Sequence, residues 1–366
     1  MSSLKIKIDS MSSKLSRFKD ENVEVDELLA FGTENDCSDL YVKVGERPYF
    51  NRYGSLYEVP CMYTSQDIWE RFSKQAISSE RNAYYVRERQ LDFAYELRPA
   101  AGSKYHQKVM VLRYRVSAGF SFKKNEGAFR MIRPYLPSFK TINFPPDIQE
   151  HIKRSFESKS GIIMLSGATG SGKSTTISAA INDFSKPGQP LDNSMIITLE
   201  DPIEYVYENT KSVRFMQKEL GEDFMSFDLG IKQALREHPN VIIPGEIRDF
   251  EGISACINAA ETGHLVMTTF HASDVAGVIS RLYSYIGRIK DDAIYDLIAN
   301  LDMVIVQRIV SNDSSFKLET QFLKFTYDVK RILQESVEKG RNVSVVINEL
   351  MKDESLVESG IIKDWS

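Results

Sequence analysis

Nine consecutive residues, Gly167-Ala168-Thr169-Gly170-Ser171-Gly172-Lys173-Ser174-Thr175, restrict this chain more than any other stretch. They follow the apolar run Ile162-Ile163-Met164-Leu165 and lead into the helix-forming residues Ser174 to Asn182, so the segment reads as strand, glycine turn and helix start. The spacing fits G-x-x-x-x-G-K-[ST] in full. Gly167, Gly170 and Gly172 let the backbone enter conformations closed to other residues, so that successive N–H groups can point at phosphate oxygens. Lys173 is expected to reach the β- and γ-phosphates of a bound nucleotide. Ser174 is placed to ligate Mg²⁺, and the helix that begins here aims its positive end at the anion. A chance glycine-rich loop would lack the flanking strand and helix.

The rest of the composition limits what can surround this loop. With 366 residues, 42% of them hydrophobic, the chain can bury a sizeable core and is expected to divide into two domains. The 46 basic and 51 acidic residues leave a net charge of −5, which gives no overall electrostatic footprint for nucleic acid. Cys37, Cys61 and Cys256 are far apart and form no C-x-x-C, which points to neither a disulfide framework nor a zinc module and fits a reducing cytoplasm. The longest uncharged stretch, Ser160 to Gly172, is thirteen residues and too glycine-rich to span a bilayer. Membrane association is therefore expected only through partners.

Residues 1–22 include a Ser- and Lys-rich segment without the apolar core of a secretory signal and read as a flexible tail. Residues 23–132 read as a mixed α/β unit of about 100 residues: a helix over Val25 to Phe31, a strand over Asp39 to Gly45, a helix around Ile68 to Gln75, and strands over Leu91 to Leu97 and Lys108 to Ser117. Residues 133–146, with Pro134, Pro137, Pro145 and Pro146, read as an extended interdomain linker. Residues 147–334 carry the phosphate loop and then alternate strand and helix, the rhythm of a mostly parallel sheet, with strands at Met195 to Leu199, Val241 to Ile243 and Leu265 to Thr269. Phe224, Phe227, Ile231, Ala234 and Leu235 share one helical face, interrupted by Gly230. Residues 335–366 have mixed charge and read as an exposed helical tail.

Ligands of open parallel sheets bind beyond the carboxyl ends of the strands. The first strand after the loop delivers Glu200-Asp201-Pro202-Ile203-Glu204 to that edge, and acidic groups there can hold the water shell of Mg²⁺ or accept a proton from attacking water. The next strand ends in Pro244-Gly245-Glu246-Ile247-Arg248-Asp249, and Glu246 fills the position of the acidic residue of Walker B, holding the metal through water. The third strand is bounded by His264 and His271, whose imidazoles can hydrogen-bond phosphate or a carboxylate.

The order phosphate loop, Glu-Asp-Pro-Ile-Glu, Gly-Glu-Ile-Arg-Asp and Thr-Gly-His resembles the secretion ATPase superfamily of type II and type IV secretion and type IV pili, whose usage names the last three blocks Asp box, Walker B and His box. Upstream, Leu112-Arg113-Tyr114-Arg115-Val116-Ser117, with Phe129-Arg130 further on, is similar to the arginine-bearing strand of that family's N-terminal domain. Near the C-terminus Gln307-Arg308-Ile309-Val310 lacks the proline that follows in the family. The short N-terminal region and the absence of a tetracysteine module argue against the long pilus-assembly and type II forms, whereas the length and C-terminal region most resemble the DotB and TraJ ATPases of type IVB secretion and conjugation, with the PilT retraction motors next.

The resemblance implies an α/β protein made of a PAS-like N-terminal domain and a RecA-like P-loop domain, assembled as a cytoplasmic homohexamer that acts on an inner-membrane complex. It implies ATP and Mg²⁺ as ligands, Glu204 as the residue that orients attacking water, and Arg113 and Arg115 as arginine fingers for the γ-phosphate. A hexameric nucleic-acid translocase would share the core but should show a basic or aromatic stripe, which the sequence lacks; no direct nucleic-acid binding is expected. A catalytically silent subunit would lack catalytic residue types that are all present.

Overall fold

The structure, a computed structural model, describes residues 11–106, 109, 111–132, 135–286, 293–312 and 315–365. Two compact units divide at Tyr135 and Leu136.

The first unit contains helix α1 (Val25–Glu34), strands β1 (Asp39–Lys43), β2 (Tyr49–Arg52) and β3 (Ser55–Glu58), helices α2 (Gln66–Ala76) and α3 (Ser79–Glu88), and strands β4 (Gln90–Leu97), β5 (Leu112–Ser121) and β6 (Lys124–Met131). The strands form one antiparallel sheet in the order β3-β2-β1-β6-β5-β4. Alternation puts Leu40, Val42, Tyr114, Val116 and Phe129 into the core with Trp69 and Phe72 of α2, and leaves Tyr41 and Arg115 outside. Gly127 is where the sheet admits the indole, since a Cβ there would stand 2.8 Å from Cη2 of Trp69.

The flexible tail is corrected for its second half. Residues 11–15 are helical, and Met11, Leu15 and Phe18 are buried in this core, Phe18 edge-on to Phe31 with centroids 5.0 Å apart. Their i, i+4, i+7 spacing is one helical face. Residues 1–10 of that expected tail lie outside the described residues. So do Lys108 of the expected strand and Arg133 and Pro134 of the expected linker. The remainder of the linker is also corrected, because Phe139 and Phe144 stack on each other inside the core of the second unit.

That second unit runs through α4 (Pro146–Ser158), β7 (Gly161–Ser166), α5 (Lys173–Phe184), β8 (Met195–Glu200), β9 (Arg214–Glu219), α6 (Phe227–Ala234), β10 (Val241–Pro244), α7 (Phe250–Glu261), β11 (Leu265–Phe270), α8 (Val275–Ile286), α9 (Ala293–Asn300), β12 (Leu301–Asn312), β13 (Ser315–Lys324), α10 (Tyr327–Glu338), α11 (Val343–Leu350), α12 (Glu354–Glu358) and β14 (Ile362–Lys363). Its sheet has the order β14-β13-β12-β7-β11-β10-β8-β9, parallel from β12 to β9 and antiparallel at β13 and β14. Helices cover both faces, so consecutive residues of β7 are buried alternately on opposite sides: Ile162 and Met164 in one apolar cluster, Ile163 and Leu165 in the other. Each such side chain is worth roughly 1.5–3 kcal/mol of burial, and truncating one to alanine costs about 2–5 kcal/mol.

Gly230 sits within α6 because a Cβ would come 2.9 Å from Phe224 Cδ2 and 3.1 Å from Leu199 Cδ1; the glycine lets the helix lie against β8. Phe224 itself precedes the helix and packs on Phe227 with centroids 5.5 Å apart. The exposed C-terminal tail is corrected as well. Val343, Val346, Ile347 and Leu350 form a buried face of α11, and β14 pairs with β13.

Candidate nucleotide site

β7 ends at Ser166 and α5 starts at Lys173, so the phosphate loop stands at the carboxyl edge of the parallel strands. Gly167, Gly170 and Gly172 have φ of +141°, +80° and +86°, values that favour glycine. At Gly167 the fit is closest: a Cβ would overlap the carbonyl oxygen of Gln307 on β12. The side chain of Gln307 is buried and donates through Nε2 to the carbonyl of Ser171 at 2.6 Å, which ties the loop to the neighbouring strand. The sequence offered a signal for this residue in the Gln-Arg dipeptide, but spacing gave it no role.

Lys173 is buried and donates to the carbonyls of Gly167 (2.9 Å) and Ala168 (3.1 Å). Burial pushes its pKa down, while the carboxylates of Glu246 and Glu204 lie close enough to push it back up. Both carboxylates therefore act electrostatically on the same ammonium. Ser174 is exposed in the first turn of α5, and Thr175 Oγ1 lies 3.4 Å from the hydroxyl of Tyr205.

Glu246 follows β10 and is held from both sides. Gly245 N donates to Leu199 O (2.6 Å) at the end of β8, Thr269 Oγ1 on β11 donates to Gly245 O (2.5 Å), and Ile247 N donates to Thr269 O (3.1 Å). The carboxylate then receives two partners, His271 Nε2 at 3.0 Å on Oε1 and Arg248 Nη2 at 2.9 Å on Oε2. Arg248, which the sequence left without a role, also stands 3.7 Å from Asp201 Oδ2, so it links the two acidic loops. Its hydrogen bond to Glu246 raises its already high pKa. Arg281 Nη1 donates to the carbonyl of His271 at 2.6 Å.

The structure separates the two histidines. β11 is in register with β7, Leu265 opposite Gly161 and Phe270 opposite Ser166. His271 thus emerges beside the phosphate loop, and His264 lies at the other edge of the sheet, roughly 20 Å away along a six-residue strand. There its Nδ1 lies 3.2 Å from Thr262 Oγ1. Within one subunit, His264 does not join the cluster around Glu246.

Glu200 is also placed differently from the sequence expectation of a metal ligand. Oε1 accepts from Thr198 Oγ1 (2.7 Å) and Gln217 Nε2 (3.2 Å), and Oε2 accepts from Glu204 N (3.1 Å). Burial raises its pKa. Both carboxylate oxygens are engaged internally, whereas Asp201 is exposed. Arg113 and Arg115 belong to the first unit, on β5, with the buried Tyr114 between them on the opposite face. Arg113 Nη1 pairs with Glu96 Oε1 at 2.9 Å, and Arg115 is exposed opposite Arg130.

Among the described residues no group of three or more His, Cys, Asp or Glu side chains could cage a metal. The donors present, an exposed Ser174 hydroxyl and the Glu246 carboxylate, suit Mg²⁺, which takes few protein ligands and completes its shell with water and phosphate oxygens.

The comparisons with known proteins identify the family and the fold. A family described as type II/IV secretion system protein matches residues 102–361. The type IV pilus retraction ATPase PilT of Pseudomonas aeruginosa is 32% identical over 263 residues, 71% of this chain and 70% of its own. Among solved structures, the Legionella pneumophila ATPase DotB superposes with a TM-score of 0.78 at 27% identity, covering 95% of this chain and 96% of that one. The retraction motor PilT with bound ADP gives 0.75 at 26% identity, covering 93% and 95%. The fold is accordingly an α/β N-terminal domain followed by a RecA-like ATPase domain, and the chain belongs to the type II/IV secretion ATPase superfamily.

Proposed function

We propose that the chain hydrolyses ATP as one subunit of a cytoplasmic homohexamer, and that the ring drives type IVB or conjugative secretion of protein or DNA through an inner-membrane complex to which it attaches by partners. The observation that carries this reading is the likeness to DotB over 95% of the chain, together with a phosphate-loop lysine, Lys173, on which the charges of Glu246 and Glu204 act. No helix among the described residues is long and apolar enough to cross a membrane.

In this reading Lys173 and the start of α5 orient the phosphates and offset their charge. Mg²⁺, held by Ser174 and through water by Glu246, would add positive charge at the phosphate oxygens. His271 and Arg248 fix the Glu246 carboxylate, and Glu204 orients the attacking water. Arg113 and Arg115 supply positive charge to a γ-phosphate in the ring. Glu200 holds the loop that carries Glu204, and Asp201 meets Arg248.

A second reading, a pilus retraction motor, is favoured by the likeness to PilT in sequence and in structure. Deleting the gene in its host and complementing it with the wild-type or Lys173→Ala sequence separates the two. Loss of secretion or conjugation, restored by wild type alone, supports the first; loss of pilus retraction with secretion intact supports the second.

A further inference from the structure

The segment 201–207 that follows β8 is irregular, so its backbone groups have no strand ladder to join. Four of them are satisfied by side chains instead. Ile203 N donates to Glu219 Oε2 (3.2 Å), Glu204 N to Glu200 Oε2 (3.1 Å) and Tyr207 N to Gln217 Oε1 (2.8 Å), while Tyr205 O accepts from Gln217 Nε2 (2.7 Å). The same Nε2 reaches Glu200 Oε1 at 3.2 Å. The register of β8 and β9 explains the convergence: Thr198 is opposite Gln217 and Glu200 is opposite Glu219, so alternate residues of two adjacent strands turn one polar face toward the loop. Gln217 uses both ends of its amide here, on two backbone groups that follow Glu204 and on the carboxylate that accepts from Glu204 N.

We propose that Gln217 is a positioning residue for Glu204: its amide clamps Tyr205 and Tyr207 and steadies Glu200, and so fixes the backbone that carries the Glu204 carboxylate. An apolar side chain at 217 leaves the Tyr205 carbonyl and the Tyr207 amide without these partners and takes one donor from Glu200. The loop then wanders, and small displacements of a group that orients water cost rate rather than binding. Lys173 and the loop glycines, which this reading assigns to the nucleotide, lie at the start of α5 and in the turn between β7 and α5, and α5 meets the segment through Thr175 with Tyr205 and Ser178 with Tyr207, bonds that do not involve Gln217. The inference rests on the reading of Glu204 as the residue that orients water.

The test measures single-turnover ATP hydrolysis, nucleotide dissociation constants and thermal midpoints on the full chain for Gln217→Met, Glu204→Gln and the double variant. Gln217→Met should hydrolyse roughly 10- to 100-fold more slowly with its dissociation constant unchanged. The double variant should be no slower than Glu204→Gln alone, because a residue acting through another adds nothing once the other is gone. Unchanged hydrolysis by Gln217→Met, an equal loss of nucleotide binding, or a further full loss in the double variant overturns the proposal. Should Gln217→Met fail to fold, Gln217→Glu decides: it keeps the acceptor for Tyr207 N, loses both donations, and should show the same loss of rate at unchanged binding. Normal turnover by Glu204→Gln brings down the reading of Glu204 and this proposal with it. An inactive Glu204→Gln beside a normal Gln217→Met brings down the proposal alone.

Discussion

His271 Nε2 lies 3.0 Å from Oε1 of Glu246, which joins the end of β11 to the end of β10 on one side of the strand that carries the phosphate loop. A hydrogen-bonded carboxylate has one orientation, and a carboxylate that must hold the waters of Mg²⁺ needs one. His271→Ala should therefore lower ATP turnover by roughly 10- to 100-fold, the usual cost of losing such a supporting partner. His264→Ala, at the opposite edge of the sheet, should leave single-site nucleotide binding unchanged. Binding titrations and steady-state rates on the two variants check this, and equal effects on both would contradict the separation.

Lys173 is buried, its ammonium donates to two loop carbonyls, and the charges of Glu246 and Glu204 act on it from nearby. In the proposed reading its charge serves phosphate rather than the core. Lys173→Ala should abolish hydrolysis while the thermal midpoint stays within a few degrees; a protein that hydrolyses near the normal rate would remove the loop from the mechanism.

Glu204→Gln and Glu246→Gln keep shape and lose charge. Both variants should still bind ATP and lose turnover, by about 100-fold or more if each acts on water or on the metal's shell. A fluorescent nucleotide measures the first quantity and phosphate release the second. Normal turnover in either variant withdraws that residue.

His151 gives the second unit an acid-sensitive joint. Its Nε2 lies 3.0 Å from the Gly360 carbonyl, so the neutral ring donates there, and it leans on Phe322 with centroids 5.0 Å apart. Burial lowers its pKa below 6.5; Lys324 and Arg154 push the same way, while the Gly360 carbonyl and Asp147 oppose. Below about pH 6.5 the unfolded chain then binds more protons than the folded one, so this contribution to stability rises with pH and is lost on acidification. Thermal midpoints between about pH 5 and 7 should fall less steeply for His151→Gln than for wild type. Parallel curves would show that another group sets the slope.

Most of the geometry of the candidate site was legible because its signals are local. A glycine loop, an apolar strand and an acidic residue after it are adjacent in sequence, and the sheet rule then places Glu246 and Glu204. What escaped depends on pairing between strands. Gln307 acts from β12 on the phosphate loop and Gln217 from β9 on the end of β8, Glu200 turns inward because β9 offers Gln217, and His264 leaves the site because strand direction, unseen in a motif, decides which histidine faces the loop. The tails were misread for a different reason. Met11, Leu15 and Phe18 at one end, and Val343, Val346, Ile347 and Leu350 at the other, carry a helical period inside polar composition, and period outweighs composition in deciding burial.

Arg113 and Arg115 stand on the unit that does not carry the phosphate loop, which makes complementation between subunits the natural test of where they act. A chain with Arg113→Ala and Arg115→Ala keeps an intact loop and offers no finger, whereas Lys173→Ala has the reverse defect. Neither should hydrolyse ATP alone. Mixed so that subunits exchange, the two would create some interfaces that join a good loop to good arginines, and part of the activity should return, because an arginine supplied in trans can raise phosphoryl-transfer rates by roughly 10³-fold or more. Mass analysis of the mixed rings establishes that both variants are present in one assembly. If the arginines serve their own subunit's nucleotide, no mixed interface is complete, and mixed rings that stay inactive at every ratio would exclude action in trans. Rescue that follows the ratio of the two chains would support the ring and the arginine roles together.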